Sequence, residues 1–244
     1  FMNVTVAKLD SSINPFDSWK SLSISLYMTL AGYAVLVGVP VISTAWVNLL
    51  GFSEVQVGRV AGADLGGLSV GAVATSLFIS KVSRRQIIFL GIFLACISNA
   101  ACISIVNYES VLWLRFLAGF GSGLITATAV SCLGASSRPA LAFNAMLFAF
   151  AFSQAAEMHF LPMLSMANIY ITFIICFLII IPFLRWVPDN TGTQEKNNTG
   201  IAGPNEGSSL LEGTLPRYVI WLCLSAIVIT YVNIGAYWTY IELA

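Results

Sequence analysis

Residues 111–133 read VLWLRFLAGFGSGLITATAVSCL, an apolar stretch that carries one charge, Arg115, and three closely spaced glycines, Gly119, Gly121 and Gly123. A helix needs about 20 such residues to cross the hydrocarbon core of a bilayer. With no water there to hydrogen-bond the backbone, a span must satisfy its own N–H and C=O groups, which favours helix over isolated strand. The two-residue alternation of an outer-membrane strand is not sustained over this stretch or over any comparable one.

Working outward, six more runs of this kind appear: Ser23–Asn48, Val55–Ile79, Ile87–Val106, Ala140–Ser165, Ile169–Trp186 and Tyr218–Ile241. They explain why 58% of the 244 residues are hydrophobic and only 9% charged, where a soluble domain carries roughly a quarter charged residues. The sequence therefore predicts an all-α, polytopic membrane bundle. Its parts are a polar N-terminal segment (1–22), six helices (23–187), a Gly-, Asn- and Ser-rich linker (188–216) and a seventh helix (217–244). The first run is too long for a signal-peptide core and is expected to be retained. Corresponding helices of the first two triplets start roughly 80 to 90 residues apart, a regularity compatible with a three-plus-three inverted repeat.

Basic residues mark the expected orientation, since Lys and Arg are retained on the cytoplasmic side. Lys8, Lys20, Lys81, Arg84, Arg85, Arg138, Arg185, Lys196 and Arg217 all fall on one face if every run crosses once. The connections around Gly51–Glu54, Asn107–Ser110 and Met166–Asn168 have acids but no Lys or Arg. The N-terminus is thus expected in the cytoplasm, with the protein in a plasma (bacterial inner) membrane. Seven-helix receptors and retinal proteins run the other way, and the last span lacks a lysine for a Schiff base. The formal net charge is zero, which gives no reason to invoke nucleic acid. The five cysteines all lie within spans, odd in number and without CxxC spacing, and read as buried apolar thiols rather than disulfides or zinc ligands.

Two segments carry a family resemblance. Ser76–Arg85 (SLFISKVSRR) resembles the GxLxDRxGRR loop signature of the major facilitator superfamily, with Lys81, Arg84 and Arg85 at its basic positions and Ser76, Ser80 and Ser83 where the family has Gly, Asp and Gly. Leu114–Gly123 (LRFLAGFGSG) resembles its RxxxGxG signature through Arg115, Gly119 and Gly121. Phe52–Gly58 is also similar, whereas the antiporter pattern GxxxGPxxGG is missing from Ala140–Ser165. The resemblance implies a twelve-helix secondary transporter working by alternating access, of which this chain would supply the first half plus helix seven, the missing C-terminal half being its expected partner.

Charges inside spans are functional-site hypotheses by default. Arg59, Asp64, Arg115 and Glu157 are the clear cases. Asp64 and Glu157 fall roughly 10 to 14 Å, and Arg115 roughly 6 to 8 Å, from the outer ends of their helices. Arg115 can therefore pair with either acid, and Asp64 or Glu157, with Arg115 as its partner, is a candidate for proton coupling or gating; the resemblance adds Lys81, Arg84 and Arg85 at the gate-forming loop. His159 stands near Glu157. For the substrate, the resemblance places helices one, four and seven around the cavity, offering Tyr33, Trp46, Asn48, Arg115, Asn233, Tyr237 and Trp238 to a small organic solute. Glycines at Gly58, Gly62, Gly66, Gly67 and Gly71, and at Gly119 and Gly123, predict close helix approach. No P-loop, HExxH or catalytic triad is present, so neither an enzyme nor a cofactor is expected. The alternative function is a non-transporting seven-helix receptor or scaffold.

Overall fold

A computed structural model describes residues 14–189, with Leu222, Ser225 and Ile229 as isolated helical positions beyond them. Six long helices follow one another: α1 (Trp19–Leu50), α2 (Glu54–Phe78), α3 (Arg84–Ser104), α4 (Tyr108–Gly134), α5 (Pro139–Phe160) and α6 (Met166–Phe183). Each is long and apolar enough to cross a membrane. The bundle is all-helical among the described residues. The seventh span, and with it Asn233, Tyr237, Trp238 and Cys223, lies outside them.

Local chemistry fixes the boundaries. Ser18, Ser53, Ser83, Asn107 and Ser165 cap α1, α2, α3, α4 and α6 by accepting a backbone N–H with the side chain, and Gln56 completes a capping box with Ser53. Helix α5 instead begins with Pro139, whose missing N–H costs nothing at that position. Gly51 ends α1 at φ +69°, a left-handed turn that lets its N–H return to the Val47 carbonyl. The break before α6 falls at Leu164–Ser165, earlier than the expected Met166–Asn168, because Ser165 captures the Asn168 N–H and draws Met166 into the helix.

Helix α4 is central: it packs on α2, α3 and α1. Without a hydrophobic force between helices in lipid, close backbone approach governs such contacts. At Gly67 an added Cβ would fall on the Phe116 carbonyl, at Gly71 on that of Phe120, at Gly119 on that of Asp64 and at Gly123 on that of Leu68. Gly62 and Gly66 have open space around them. The expected single glycine stripe on helix two is corrected accordingly. At 100° per residue, Gly67 and Gly71 stand roughly 140° from Gly62 and Gly66, so one neighbour cannot meet all four.

Lys20, Lys81, Arg84, Arg85, Arg138 and Arg185 gather at one end of the bundle. There the Asn14 side-chain amide donates to the Ala135 carbonyl (2.9 Å), the Ser137 N–H donates to Asp17 (2.7 Å), and Trp19 meets Trp186 edge-on. The Ser137 N–H holds the Asp17 carboxyl below its ordinary pKa. Lys20 lies over both tryptophan rings.

The glycine contacts yield a first prediction. Gly119→Val should lower the thermal unfolding midpoint in detergent by several degrees, with an overpacking cost of about 1–3 kcal/mol. Gly66→Val, facing open space, should leave it nearly unchanged. Equal losses in the two variants would refute the assignment of the tight face.

Candidate functional site

The α2–α4 contact brings Asp64 to Arg115. Both side chains are almost fully enclosed, at 5% and 1% exposure. The Arg115 Nε donates to Asp64 Oδ2 at 3.0 Å, and its Nη2 donates to the same oxygen. Nη1 donates to Asn99 Oδ1 on α3 at 2.8 Å, while the Asn99 amide donates back to the Ala95 carbonyl. The guanidinium carbon lies 5.7 Å from the Tyr170 ring on α6, near enough for cation–π attraction. The Tyr170 hydroxyl in turn accepts from Trp46 Nε1 on α1 at 3.1 Å. One arginine thus gathers a carboxylate, an amide and an aromatic face, and the network touches α1, α2, α3, α4 and α6. Of the two acids open to Arg115, the fold selects Asp64.

Glu157 is placed otherwise. On α5 it faces α1 at Gly38, where an added Cβ would stand 3.0 Å from its Oε2. Oε1 accepts from the Ser153 hydroxyl at 3.0 Å, whereas Oε2 is buried with no hydrogen-bond partner among the described residues. Two residues on, Pro40 lacks the N–H that would bond the Leu36 carbonyl, a weak point in α1. His159 is exposed and turned edge-on to Phe160.

The other candidates separate. Trp46 and Arg115 are enclosed, so in this conformation neither is open to a solute. Asn48, with Val41, Thr44 and Ala45, lines a groove of about 290 Å³ closed on its far side by Leu161, Pro162 and Leu164. Tyr33 packs edge-on to Phe150 of α5. Arg59 is exposed on the α2 face opposite Asp64.

At the arginine-rich end, Lys81 is exposed while Arg84 and Arg85 are engaged. The Arg84 backbone N–H donates to Asp189 Oδ1 at 3.2 Å, and its guanidinium lies over Phe16. Arg85 donates through Nε and Nη2 to the Val187 carbonyl, and through Nη2 to that of Arg185, with Asp189 Oδ2 at 3.9 Å. The carboxylate facing this loop therefore comes from beyond α6, Ser80 standing where the signature has Asp. Asp189, Asn99 and Tyr170 were not singled out from the sequence. A polar amide and a tyrosine inside otherwise apolar runs were the signals available for the last two.

The buried pair supplies a second prediction. Asp64→Leu or Arg115→Met alone strands a buried charge and should cost about 3–5 kcal/mol in denaturant unfolding, whereas the double variant should recover most of the loss. Additive losses would show that the pair is not coupled.

Comparison with known proteins agrees with this architecture. Residues 8–142, more than half the chain, match the family described as Sugar (and other) transporter. A crystal structure of a POT family transporter in complex with 5-aminolevulinic acid superposes with a TM-score of 0.53 at 13% identity, over 90% of this chain and 47% of that one, a likeness of fold alone. This chain thus spans about half the length of that transporter. A comparison with curated proteins finds no match. With six apolar helices and this family match, the chain is an integral membrane protein that belongs to the sugar (and other) transporter family of the major facilitator superfamily.

Proposed function

We propose that the chain is the N-terminal six-helix half, with the first helix of the second half, of a secondary carrier that moves a small organic solute by alternating access. The solute site then lies near the midplane between two bundles. The other wall comes from a second bundle, for which α5 leaves Leu147, Phe148 and Phe152 exposed. The one-sided distribution of Lys and Arg favours a cytoplasmic N-terminus, in a plasma membrane of the bacterial inner type.

The observation that carries this reading is the contrast between the two intramembrane acids. Asp64 is tied to Arg115 on α4 and through it to α3, α6 and α1, whereas Glu157 has a buried oxygen with no donor among the described residues, against the α1 segment that carries Pro40. A proton-coupled carrier needs one carboxylate that can take up and release a proton as it faces each side, and a framework that does not come apart meanwhile. Glu157 suits the first part, and the Asp64–Arg115 pair suits the second. Around them, Tyr33 and Asn48, with Asn233, Tyr237 and Trp238 of the seventh span, form the proposed contact set for the solute. Trp46 and Arg115 act by holding the wall. Arg84 and Arg85, bound to the end of α6, form a gate-side brace, and Lys81 is left to face a partner segment.

Uptake by the full-length carrier in proteoliposomes, driven by an imposed pH gradient, tests the division of labour. Glu157→Gln should abolish the dependence on the gradient while leaving exchange of solute down its own gradient. Asp64→Asn should depress both together. If gradient-driven uptake survives unchanged in both variants, proton coupling through these acids is wrong.

A further inference from the structure

Away from the charge network, a second groove runs along the outside of α3 at the arginine-rich end. Gln86, Phe89, Leu90 and Phe93 line it from α3 and Leu184 from the turn after α6, with Arg85 at its mouth, in a shallow, open trough of about 550 Å³. Pro182 sits just before the helix ends at Phe183, and the following 3-10 turn, Leu184–Trp186, directs Val187 into the core. The inward face of the first turns of α3 is buried through Ile87, Ile88 and Ile92, and the outward face is open, with Phe89, Leu90 and Phe93 at 56%, 50% and 55% exposure.

The groove has two chemically distinct ends. From Arg85 to Phe93 it runs about 12 Å along the helix axis, from the membrane surface into the apolar layer. Its deep end is hydrocarbon and phenyl ring. Its mouth is cationic through Arg85, with exposed Lys81 and Arg185 nearby along the chain, while the Arg84 guanidinium is turned in over Phe16; Asp189 Oδ2 lies 3.9 Å from Arg85 Nε. Arg85 spends Nε and Nη2 on carbonyls of the α6 end, but its Nη1 has no acceptor among the described residues, and the side chain is 41% exposed. A free guanidinium edge above an apolar wall matches a ligand with a phosphate at one end and an alkyl chain at the other. A soluble anion would leave the wall unfilled, and a lipid without an anionic headgroup would offer Arg85 Nη1 a weaker acceptor.

We propose that this groove holds one anionic phospholipid from the leaflet on the arginine side, its phosphate on Arg85 and an acyl chain against Phe89, Leu90, Phe93 and Leu184. The bound lipid joins α3 to the end of α6, the same two elements that Arg85 and Asp189 already tie. The assignment depends on the helices spanning a membrane and is independent of what the carrier transports.

Native mass spectrometry of the purified, delipidated full-length protein titrated with phosphatidylglycerol or phosphatidylcholine tests it. Phosphatidylglycerol should be retained roughly fivefold more tightly, the worth of one favourable arginine contact. Arg85→Gln should remove that preference. Gln86→Glu, which sets a negative charge at the mouth while keeping the Arg85 contacts, should do the same if Arg85→Gln proves unstable. Leu90→Trp, filling the groove, should weaken both lipids. Arg138→Gln, on the same side but in the α4–α5 connection, should leave the preference intact. Equal retention of the two lipids by the unaltered chain, or a loss in Arg138→Gln as large as in Arg85→Gln, would overturn the site in favour of diffuse surface charge.

Discussion

The distance between α2 and α4 is the constraint on which the rest depends. Where Gly67, Gly71, Gly119 and Gly123 face the opposing carbonyls, no side chain can be interposed, and the backbones meet. That contact is what puts a carboxylate on α2 within direct reach of an arginine on α4. Removing both charges from water is expensive, and the pair alone offsets little of the cost. Asn99, Tyr170 and Trp46 make it tolerable by answering the guanidinium's remaining edge and face and the phenol itself. Such a network contributes less to net stability than to register, since few other placements of these helices would satisfy all of its members.

Much of this was legible before any coordinates, for physical reasons that differ from residue to residue. Apolar length alone marks a span, because lipid leaves the backbone no partner but itself, and six of the seven expected runs are long helices here. Arg115 stood out because a lone charge in hydrocarbon must find a partner, and depth along the helices narrowed that partner to two acids. Choosing Asp64 required the azimuth at which α2 meets α4, which depends on which glycines are buried. Four-residue spacing in Gly62 and Gly66 looks the same as that in Gly67 and Gly71, yet only the second pair is covered. Asp189 was hidden differently: it sits in a polar stretch that reads as linker, and only the turn after Pro182 brings it back to Arg84.

The two ends of the bundle are built unequally, and the inequality bears on the proposed carrier. At the arginine-rich end, the N-terminal segment, the α2–α3 and α4–α5 connections and the end of α6 are joined by side-chain and backbone hydrogen bonds, ring contacts and an ion pair. At the other end, α5 leaves most of its residues exposed or half-buried, a groove lies between α1 and the turn that follows α5, and the helix that Glu157 faces carries Pro40 two residues after Gly38. At Gly38 the α1 backbone comes close to the Glu157 carboxylate, so this acid stands directly in the α1–α5 seam. Protonation of a carboxylate in that seam would change the cost of opening it, because a buried charge and a buried neutral acid differ greatly in their demand for water. In the proposed carrier, the coupling group therefore belongs in the seam and the ion pair in the frame.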